Sequence, residues 1–421
     1  MPTVMTVVAI SLAFVMIRLD QQVFADRNIR RWWFFEGGAE GARGVLGAIS
    51  GTMITVATTV FSITIVALQL GSSQFSPRIL RGFTRDRGNQ FVLGIFIATF
   101  VYTLLILRAV QSERADQAVF VPSASVTLAM LLALGSIGSL IFFFHHATRT
   151  IQASVVIDRA ANDTFSLIRA RQERVIGEHA SFLPTLNVLE PDDLSRVRAG
   201  RSGYVTGIDT DSLLSLATEL KTVITIVAPI GGHVLSLSAL ATMPSMVLDP
   251  LTRTDRVRII RHITKAFEIE IERTLEHDIL LGFQQLTDIA IKALSPGIND
   301  PSTALTCIDR IAEGLLLAQH FRPEMEYREG RGGHGGIRQT WIGFADIVDE
   351  CLPQIRHYGA GDMKVMCHLL RVIREVSFLA DDDITDVLAD HTRLIVEEAK
   401  LALVVESDRQ RVREAGAWAF S

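Results

Sequence analysis

Residue types that enzymes use for catalysis occur in this chain, but not in the spacings that catalysis needs. The three cysteines are Cys307, Cys351 and Cys367, and no two of them form a Cys-x-x-Cys pair. Neither Gly-x-Ser-x-Gly nor His-Glu-x-x-His occurs, and the adjacent His277 and Asp278 have no nucleophile in a recognisable context. The sequence therefore supports no catalytic residue, and we predict no metal site and no cofactor.

The most informative polar pattern begins inside an uncharged, apolar stretch, residues 47–70, and continues to Ser73. If this stretch is helical, one face about 60° wide carries only small and polar side chains. Such a stripe can serve helix packing, because small residues let helices approach closely, or it can line a water-filled path in an oligomer. A primary amide on this face is costly to leave unpaired in lipid. The stripe consists of Gly51, Thr55, Thr58, Ser62, Gln69 and Ser73.

A second candidate site is the segment Ala293–Ala304, which predicts two helices joined by a tight loop. Asp300 followed by Pro301 is a strong helix start, because the carboxylate caps free backbone N–H groups and proline fits the first helical position. The polar tip can serve capping alone. Alternatively, it is a small binding loop in which Asn299, Asp300 and Ser302 contact a ligand or a neighbouring subunit.

Three other polar clusters favour structural roles. The glycine-rich segment Glu329–Gly336 lacks the Lys-Ser/Thr of a phosphate-binding loop and predicts a hairpin tip. The run Asp381–Asp383 lacks the glycine and the final glutamate of a calcium loop and predicts a helix cap. Paired His145 and His146 point about 100° apart on a helix, which favours interfacial anchoring over chelation.

Four apolar segments dominate the first third of the chain. Each of them lacks Asp, Glu, Lys, Arg and His, and three reach the length that crosses a bilayer. The first is shorter, but no basic residue precedes it as in a secretory signal, so we predict a transmembrane helix there too. The segments are Pro2–Ile17, Gly47–Leu70, Phe91–Leu107 and Ser123–Phe144.

Charge divides the chain into two unlike parts. Residues 1–150 carry 12 Lys/Arg and 7 Asp/Glu, a net charge of +5, whereas residues 151–421 carry 29 and 39, a net charge of −10. The mean hydropathy of +0.31 comes from the first part. This division excludes a simple soluble enzyme, a disordered chain and a nucleic-acid binder with a basic domain, so we expect no nucleic-acid partner.

The charges of the connecting loops leave the membrane orientation open. Arginines are shared equally between the two faces, seven to seven, so the positive-inside rule gives no answer. The odd number of cysteines, all in the polar part, suggests free thiols in a reducing compartment. We therefore predict a cytoplasmic C-terminal part with both termini inside.

The polar part alternates between helical and strand patterns, which predicts an α+β region. The segments Gly203–Ile208, Val223–Ala228 and His233–Leu240 are predicted strands, with a helix capped by Asp209 or Thr210 after the first of them. The predicted organisation is a four-helix transmembrane domain, a helical connector, a small β-barrel-like subdomain and a mostly helical soluble domain including a helical bundle. These occupy residues 1–148, 149–190, 191–250 and 251–421.

Several strings in this sequence resemble one known family. They are Ser62–Leu70, Ser73–Arg78, Phe100–Tyr102, Phe144–His146 and, most specifically, Ala293–Pro301, which reads Ala-Leu-Ser-Pro-Gly-Ile-Asn-Asp-Pro. Together they resemble the DUF2254 family of predicted bacterial membrane proteins. The resemblance implies four membrane helices with a large C-terminal soluble region in the bacterial plasma (inner) membrane. It implies no catalytic residue.

Two functional hypotheses follow. The first is a homo-oligomeric channel or transport-like protein in which the stripe lines a path for an ion or small solute and the cytosolic region regulates it. No ionisable residue lies inside the apolar segments, which disfavours an ion-coupled pump. The alternative is a membrane-anchored sensor or scaffold whose cytosolic domain binds a ligand or a protein partner. In both cases the lipid bilayer is a partner.

Overall fold

The structure, a computed structural model, divides the chain into two compact units, Met1–Val155 and Val156–Ser421, each described here by itself. It describes residues 1–22, 34–74, 87–111, 120–150, 152–174, 193–321, 325–330, 334–380 and 384–420. Trp32 and Trp33, whose residue type is typical of a membrane interface, and the predicted helix cap Asp381–Asp383 lie outside these ranges.

The described part of the first unit contains four long apolar helices, as the sequence predicts. Each is long enough to cross a bilayer, and their outward side chains are apolar, such as Val4, Phe61 and Ile141, which are more than half exposed. A helix satisfies its own backbone hydrogen bonds, which is what a lipid environment requires. The helices are α1 (Pro2–Gln22), α2 (Ala39–Gln74), α3 (Arg87–Ala109) and α4 (Ser123–Thr150).

Helix α3 packs against the three other helices. Its side chains Phe96, Tyr102 and Ile106 are fully buried. Small residues permit close helix approach, because a side chain added at Gly94 would meet the Met5 sulfur at 2.5 Å. Helix α3 is therefore the central helix in the core of this unit.

Eight strands in two sheets occur among the described residues of the second unit. One has the order β1-β5-β3-β8-β7 and the other the order β4-β2-β6. The strands are β1 (Leu194–Arg198), β2 (Gly203–Ile208), β3 (Val223–Ile226), β4 (His233–Val234), β5 (Ala239–Pro244), β6 (Phe267–Glu270), β7 (Met325–Glu329) and β8 (Gly336–Thr340).

The predicted mixture of helices and strands is confirmed, but the strands described here form no closed barrel. Strands β1 to β5 fall within residues 191–250 and are shared between the two sheets. Each sheet also takes strands from beyond residue 250: β3 pairs in parallel with β8, and β2 pairs with β6. Pairing over such sequence distances leaves no local pattern, so the prediction of a self-contained barrel was wrong in this detail.

Ten helices complete the described part of the second unit. The predicted helix after Asp209 is present, and the Asp209 carboxylate accepts a hydrogen bond from the Ser212 N–H. The helices are α5 (Ala153–Arg174), α6 (Thr210–Glu219), α7 (Ser245–Leu248), α8 (Arg253–Lys265), α9 (Ile279–Ala293), α10 (Pro301–Leu317), α11 (Phe344–Gly359), α12 (Met363–Leu379), α13 (Thr385–Ala402) and α14 (Glu406–Ala415).

Candidate functional site

The polar stripe of α2 faces away from the other helices of its unit. Gly51, Thr55, Thr58, Ser62 and Gln69 are all exposed. The opposite face of α2 is buried and forms the contact with α3 and α4, through side chains that include Leu46, Met53, Ala57 and Val60. The stripe therefore takes no part in helix packing within the described chain. Ser73 belongs to α2, but its side chain lies outside the described part of the structure.

The hydroxyl groups of the stripe are partly satisfied within the helix. The Thr55 hydroxyl donates to the Gly51 carbonyl and the Thr58 hydroxyl to the Ile54 carbonyl, each over 2.9 Å. Such bonding leaves the lone pairs of the hydroxyl oxygen directed outward as acceptors. The stripe thus presents a row of acceptors to whatever covers α2.

Gln69 differs from the hydroxyl groups because its amide cannot bond back to its own helix turn in the same way. Its side chain is exposed and has no hydrogen-bond partner among the described residues. An amide facing hydrocarbon costs several kcal/mol relative to water, about 4–8 on a water-to-cyclohexane basis. Of all stripe residues, Gln69 most clearly requires water or a polar group from outside the chain.

The glycines leave the surface of α2 open at one end of the stripe. A Cβ atom placed at Gly44, Gly47 or Gly51 meets no atom within 4 Å. Together with the exposed Ala48, they form an uncovered strip of small residues where another helix backbone could approach closely. Both uses of the stripe considered from the sequence, helix packing and lining a path, therefore involve a surface that the described chain itself leaves uncovered.

Asp20, near the end of α1, is a buried carboxylate that sequence reasoning missed. Its side chain accepts hydrogen bonds from the backbone N–H groups of Ala124 (3.0 Å) and Ser125 (2.9 Å) and from the Ser125 hydroxyl (2.5 Å). It thus caps the N-terminus of α4, where the helix dipole favours a negative charge. The apolar segment ends at Ile17, but α1 continues to Gln22 and carries this carboxylate into the unit.

Other polar contacts hold the same end of the helix bundle. The Arg43 guanidinium donates to the Val110 carbonyl just beyond α3, over 3.0 Å, which is where a cation complements the helix dipole. The Phe35 N–H donates to the Thr127 hydroxyl over 2.9 Å. These bonds and the Asp20 cap fix the ends of all four helices to one another. Asp20 and Arg43 thus make structural contacts between helix ends.

The Asn299 loop has the predicted helix–loop–helix form. The Asp300 carboxylate accepts from the Thr303 N–H (3.2 Å) and the Thr303 hydroxyl (2.6 Å), which is the predicted cap of α10. The Asp300 N–H donates to the Ala293 carbonyl over 2.8 Å and closes the loop. Asn299 has a φ of +50°, which asparagine tolerates better than most residues.

Exposure separates the three predicted loop residues. Asn299 and Ser302 are exposed, whereas Asp300 is half-buried and engaged in capping. Capping therefore accounts for Asp300, and the loop offers Asn299 and Ser302 as surface groups.

Helices α9 and α10, which flank this loop, both pack against α5. Arg310 of α10 pairs with Asp158 of α5 at 2.5 Å, and Thr164 of α5 lies so close to Gly282 that a Cβ there would come within 2.3 Å of its hydroxyl oxygen. Thr164 is fully buried at this contact between α5 and α9. The Asn299 loop, α9, α10 and α5 thus form one packed group within the second unit.

The cysteines show no reactive environment. Cys307 and Cys351 are buried and free. Burial raises the pKa of the Cys351 thiol to about 12 and that of Cys307 well above its usual value. Both remain protonated near neutral pH, in which form a thiol is neither a good nucleophile nor a good metal ligand. No group of three His, Cys, Asp or Glu side chains suited to a metal ion occurs among the described residues.

Asp278 has a structural role as well. Its carboxylate forms a bidentate pair with Arg273, at 2.7 and 2.9 Å, and accepts from the Leu281 N–H at the start of α9. Gly231 lies against this pair with a φ of +80°, and a Cβ there would lie 2.4 Å from the carboxylate. The turn at Gly231 therefore requires glycine both for its φ and for space.

Comparison with known proteins agrees with this architecture. Residues 1–375 match the family model DUF2254, which is described as a predicted membrane protein. The chain is similar to Uncharacterized protein Mb1321c of Mycobacterium bovis and to Uncharacterized proteins Rv1290c and MT1328 of Mycobacterium tuberculosis. It is 34% identical to each over 392 residues, which cover 91% of this chain and 73% of each relative. No solved structure matches the chain. The protein belongs to the DUF2254 family of predicted membrane proteins.

Proposed function

We propose that the protein is a homo-oligomeric, channel-like membrane protein in which copies of α2 surround a path for an ion or small solute. The observation that carries the proposal is the exposed stripe on a helix whose other face is already packed. Water or the polar surface of a neighbouring copy supplies the partner that Gln69 needs, whereas hydrocarbon supplies none.

The main alternative is that the stripe faces the lipid. Threonine hydroxyls bonded to their own helix are tolerated in lipid, so Thr55 and Thr58 alone do not decide the matter. Gln69 and the open glycine strip favour a protein and water environment. All stripe members lie within one narrow face, as expected if that face points toward an axis shared by several copies.

The proposed location is the bacterial plasma membrane, with the second unit in the cytoplasm. The free, buried thiols of Cys307 and Cys351 support a reducing compartment. The proposed regulatory element is the Asn299 loop, because its exposed groups sit on helices that pack against α5 near the start of the second unit.

Flux through proteoliposomes tests the proposal. The purified chain is reconstituted at increasing protein-to-lipid ratio, and release of trapped K⁺, Cl⁻ and a small neutral solute is followed. We expect flux in at least one of these assays, and a large change with Thr58→Val or Gln69→Leu. The matched control is Thr64→Val, because Thr64 lies on the opposite side of α2 and its hydroxyl bonds to Val60 in the same manner.

Absence of flux under all these conditions would refute the proposal, as would equal flux in Thr58→Val, Gln69→Leu and the native chain. The alternative, a membrane-anchored sensor or scaffold, would then be favoured. The exposed Asn299, held in a left-handed conformation on a packed helix pair, is the observation that supports this second function. Its test is whether substitutions at Asn299 and Ser302 alter binding of a partner captured with the native chain.

A further inference from the structure

The second unit is acidic as a whole, but the segment that contains strands β1 to β5 is not. Residues 194–265 carry nine Lys/Arg and five Asp/Glu, a net charge of +4, whereas residues 266–421 carry 16 and 27, a net charge of −11. The positive charge is thus concentrated in one part of the fold, and two of its arginines lie at the tip of the sheets.

This tip, which we call the Leu-Arg tip, consists of residues 198–202 and 235–238. The two turns are bonded to each other: the Gly200 N–H donates to the Ser236 carbonyl over 2.9 Å, and the Ser236 N–H donates to the Ser202 hydroxyl over 3.0 Å. A further bond from the Leu235 N–H to the Ser238 hydroxyl closes the second turn. These hydrogen bonds hold the two turns of the tip against each other.

Two leucines project from the Leu-Arg tip into solvent. Leu235 is 62% exposed and Leu237 is 71% exposed. Val227, whose N–H donates to the Leu240 carbonyl next to the tip, is 49% exposed. One exposed leucine needs no explanation, but several neighbouring apolar side chains on a well-bonded turn indicate a surface that is covered in use.

The arginines of the tip are without partners in the described chain. Arg198 and Arg201 are exposed, and neither guanidinium group forms an ion pair or hydrogen bond with any described residue. Many other arginines of this unit are paired, as Arg273 is with Asp278 and Arg310 with Asp158. A surface that combines bare guanidinium groups with bare leucines matches a phospholipid interface, which offers anionic headgroups above a hydrocarbon layer.

We propose that the Leu-Arg tip docks on a leaflet containing anionic phospholipid, with Leu235 and Leu237 at the boundary between headgroups and acyl chains and with Arg198 and Arg201 on the phosphates. Charge complementarity supports this occupant. The covalent link does so as well, because α5 begins three residues after α4 ends and keeps the second unit at high effective concentration near a bilayer. Nucleic acid would match the arginines but not the leucines. The proposal is independent of whether the protein conducts a solute.

Site-directed spin labelling of the full chain tests this docking. A nitroxide is attached at Leu237→Cys, after Cys367→Ser, in proteoliposomes of phosphatidylcholine with and without phosphatidylglycerol. Accessibility to oxygen, which partitions into lipid, is compared with accessibility to the water-soluble complex NiEDDA. We expect oxygen accessibility to exceed NiEDDA accessibility in the anionic vesicles, and the reverse for a control label at the exposed Glu397→Cys.

Charge reversal tests whether the two arginines hold the tip on the headgroups. R198E/R201E removes the charge that faces the headgroups, so the Leu237 label becomes accessible to NiEDDA. K364E/R374E changes the net charge by the same amount on exposed positions of α12, and the label keeps its lipid-like accessibility.

Three results would overturn the proposal. One is a Leu237 label that favours NiEDDA in both lipid mixtures. Another is a label shielded from both reagents in vesicles and in detergent micelles alike, which indicates a protein partner or a second copy. The last is equal loss of lipid-like accessibility in both charge-reversed variants, which indicates a general effect of net charge.

Discussion

Replacing Asp20 by alanine tests the cap that joins α1 to α4. The carboxylate accepts two backbone N–H groups and one hydroxyl in a buried site, with heavy-atom distances of 2.5–3.0 Å. Hydrogen bonds to a charged group contribute about 1.5–3 kcal/mol each, and breaking a buried charged interaction by removing one partner costs about 3–5 kcal/mol. We expect Asp20→Ala to lower the free energy of unfolding by about 3–5 kcal/mol, because it also leaves the start of α4 uncapped.

Two further variants separate the contributions to this loss of stability. Ser125→Ala removes only the hydroxyl bond and should cost about 1.5–3 kcal/mol. Ser139→Ala is the matched control, because its exposed hydroxyl bonds only to the Gly135 carbonyl of its own helix. Loss of helical circular dichroism during titration with SDS in mixed micelles provides the measurement. If Asp20→Ala unfolds at the same SDS fraction as the native chain or Ser139→Ala, the capping argument is refuted.

Three further predictions concern the second unit. Gly231→Ala should destabilise the unit by about 2–4 kcal/mol, because the residue has a positive φ and an added Cβ would clash with Asp278. Gly200→Ala should cost only about 1 kcal/mol, because Gly200 has a φ of +73° but open space around it. The rate at which Cys351 reacts with a thiol reagent in urea measures the destabilisation in each variant. In the native chain at pH 8, a thiol reagent should modify the partly exposed Cys367 well before the buried Cys351. The pKa of the Cys351 thiol is raised to about 12, so this thiol stays neutral until the pH approaches that value. Equal rates of modification would contradict this prediction. Asp300→Ala should lower the free energy of unfolding by about 1–2 kcal/mol through loss of a cap, and an unchanged urea midpoint would show that the cap contributes nothing.

Local signals were enough to predict several elements. The four membrane helices follow from uninterrupted apolar stretches, since a single segment can satisfy its own backbone in lipid only as a helix. The caps at Asp209 and Asp300 were predicted because a cap bonds to residues two or three positions away. Strand β2 was predicted with its observed bounds for the same reason: its pattern is contained within six residues.

Interactions between distant residues could not be predicted in this way. Asp20 bonds to residues 104 and 105 positions later, so it looked like a charge that merely ends an apolar segment. Residues after 250 were predicted as mostly helical. Helix α8 buries Ile259 and Ile263 and ends at Lys265, because Phe267–Glu270 pairs with β2 as a strand. The region predicted as mostly helical therefore contains three strands.

The candidate site was only partly accessible to sequence reasoning. The composition of the stripe was visible as a helical pattern, but whether the stripe faced α3 or the exterior depended on tertiary packing. The structure places Gly51, Thr55, Thr58, Ser62 and Gln69 on the exterior. The Leu-Arg tip gave no sequence signal, because its two turns are separated by more than 30 residues and meet only in the fold.

Water access to the stripe tests the central claim most directly. Single cysteines are placed at Thr55, Thr58 and Ser62 and, as controls on the packed side of α2, at Ala57 and Thr64. The background carries serine at the partly exposed native cysteine. The reagent is the water-soluble cation MTSET, applied to proteoliposomes. We predict modification at the three stripe positions and not at the two controls. Stripe cysteines that resist MTSET in the bilayer but react after unfolding would contradict a water-filled path along α2.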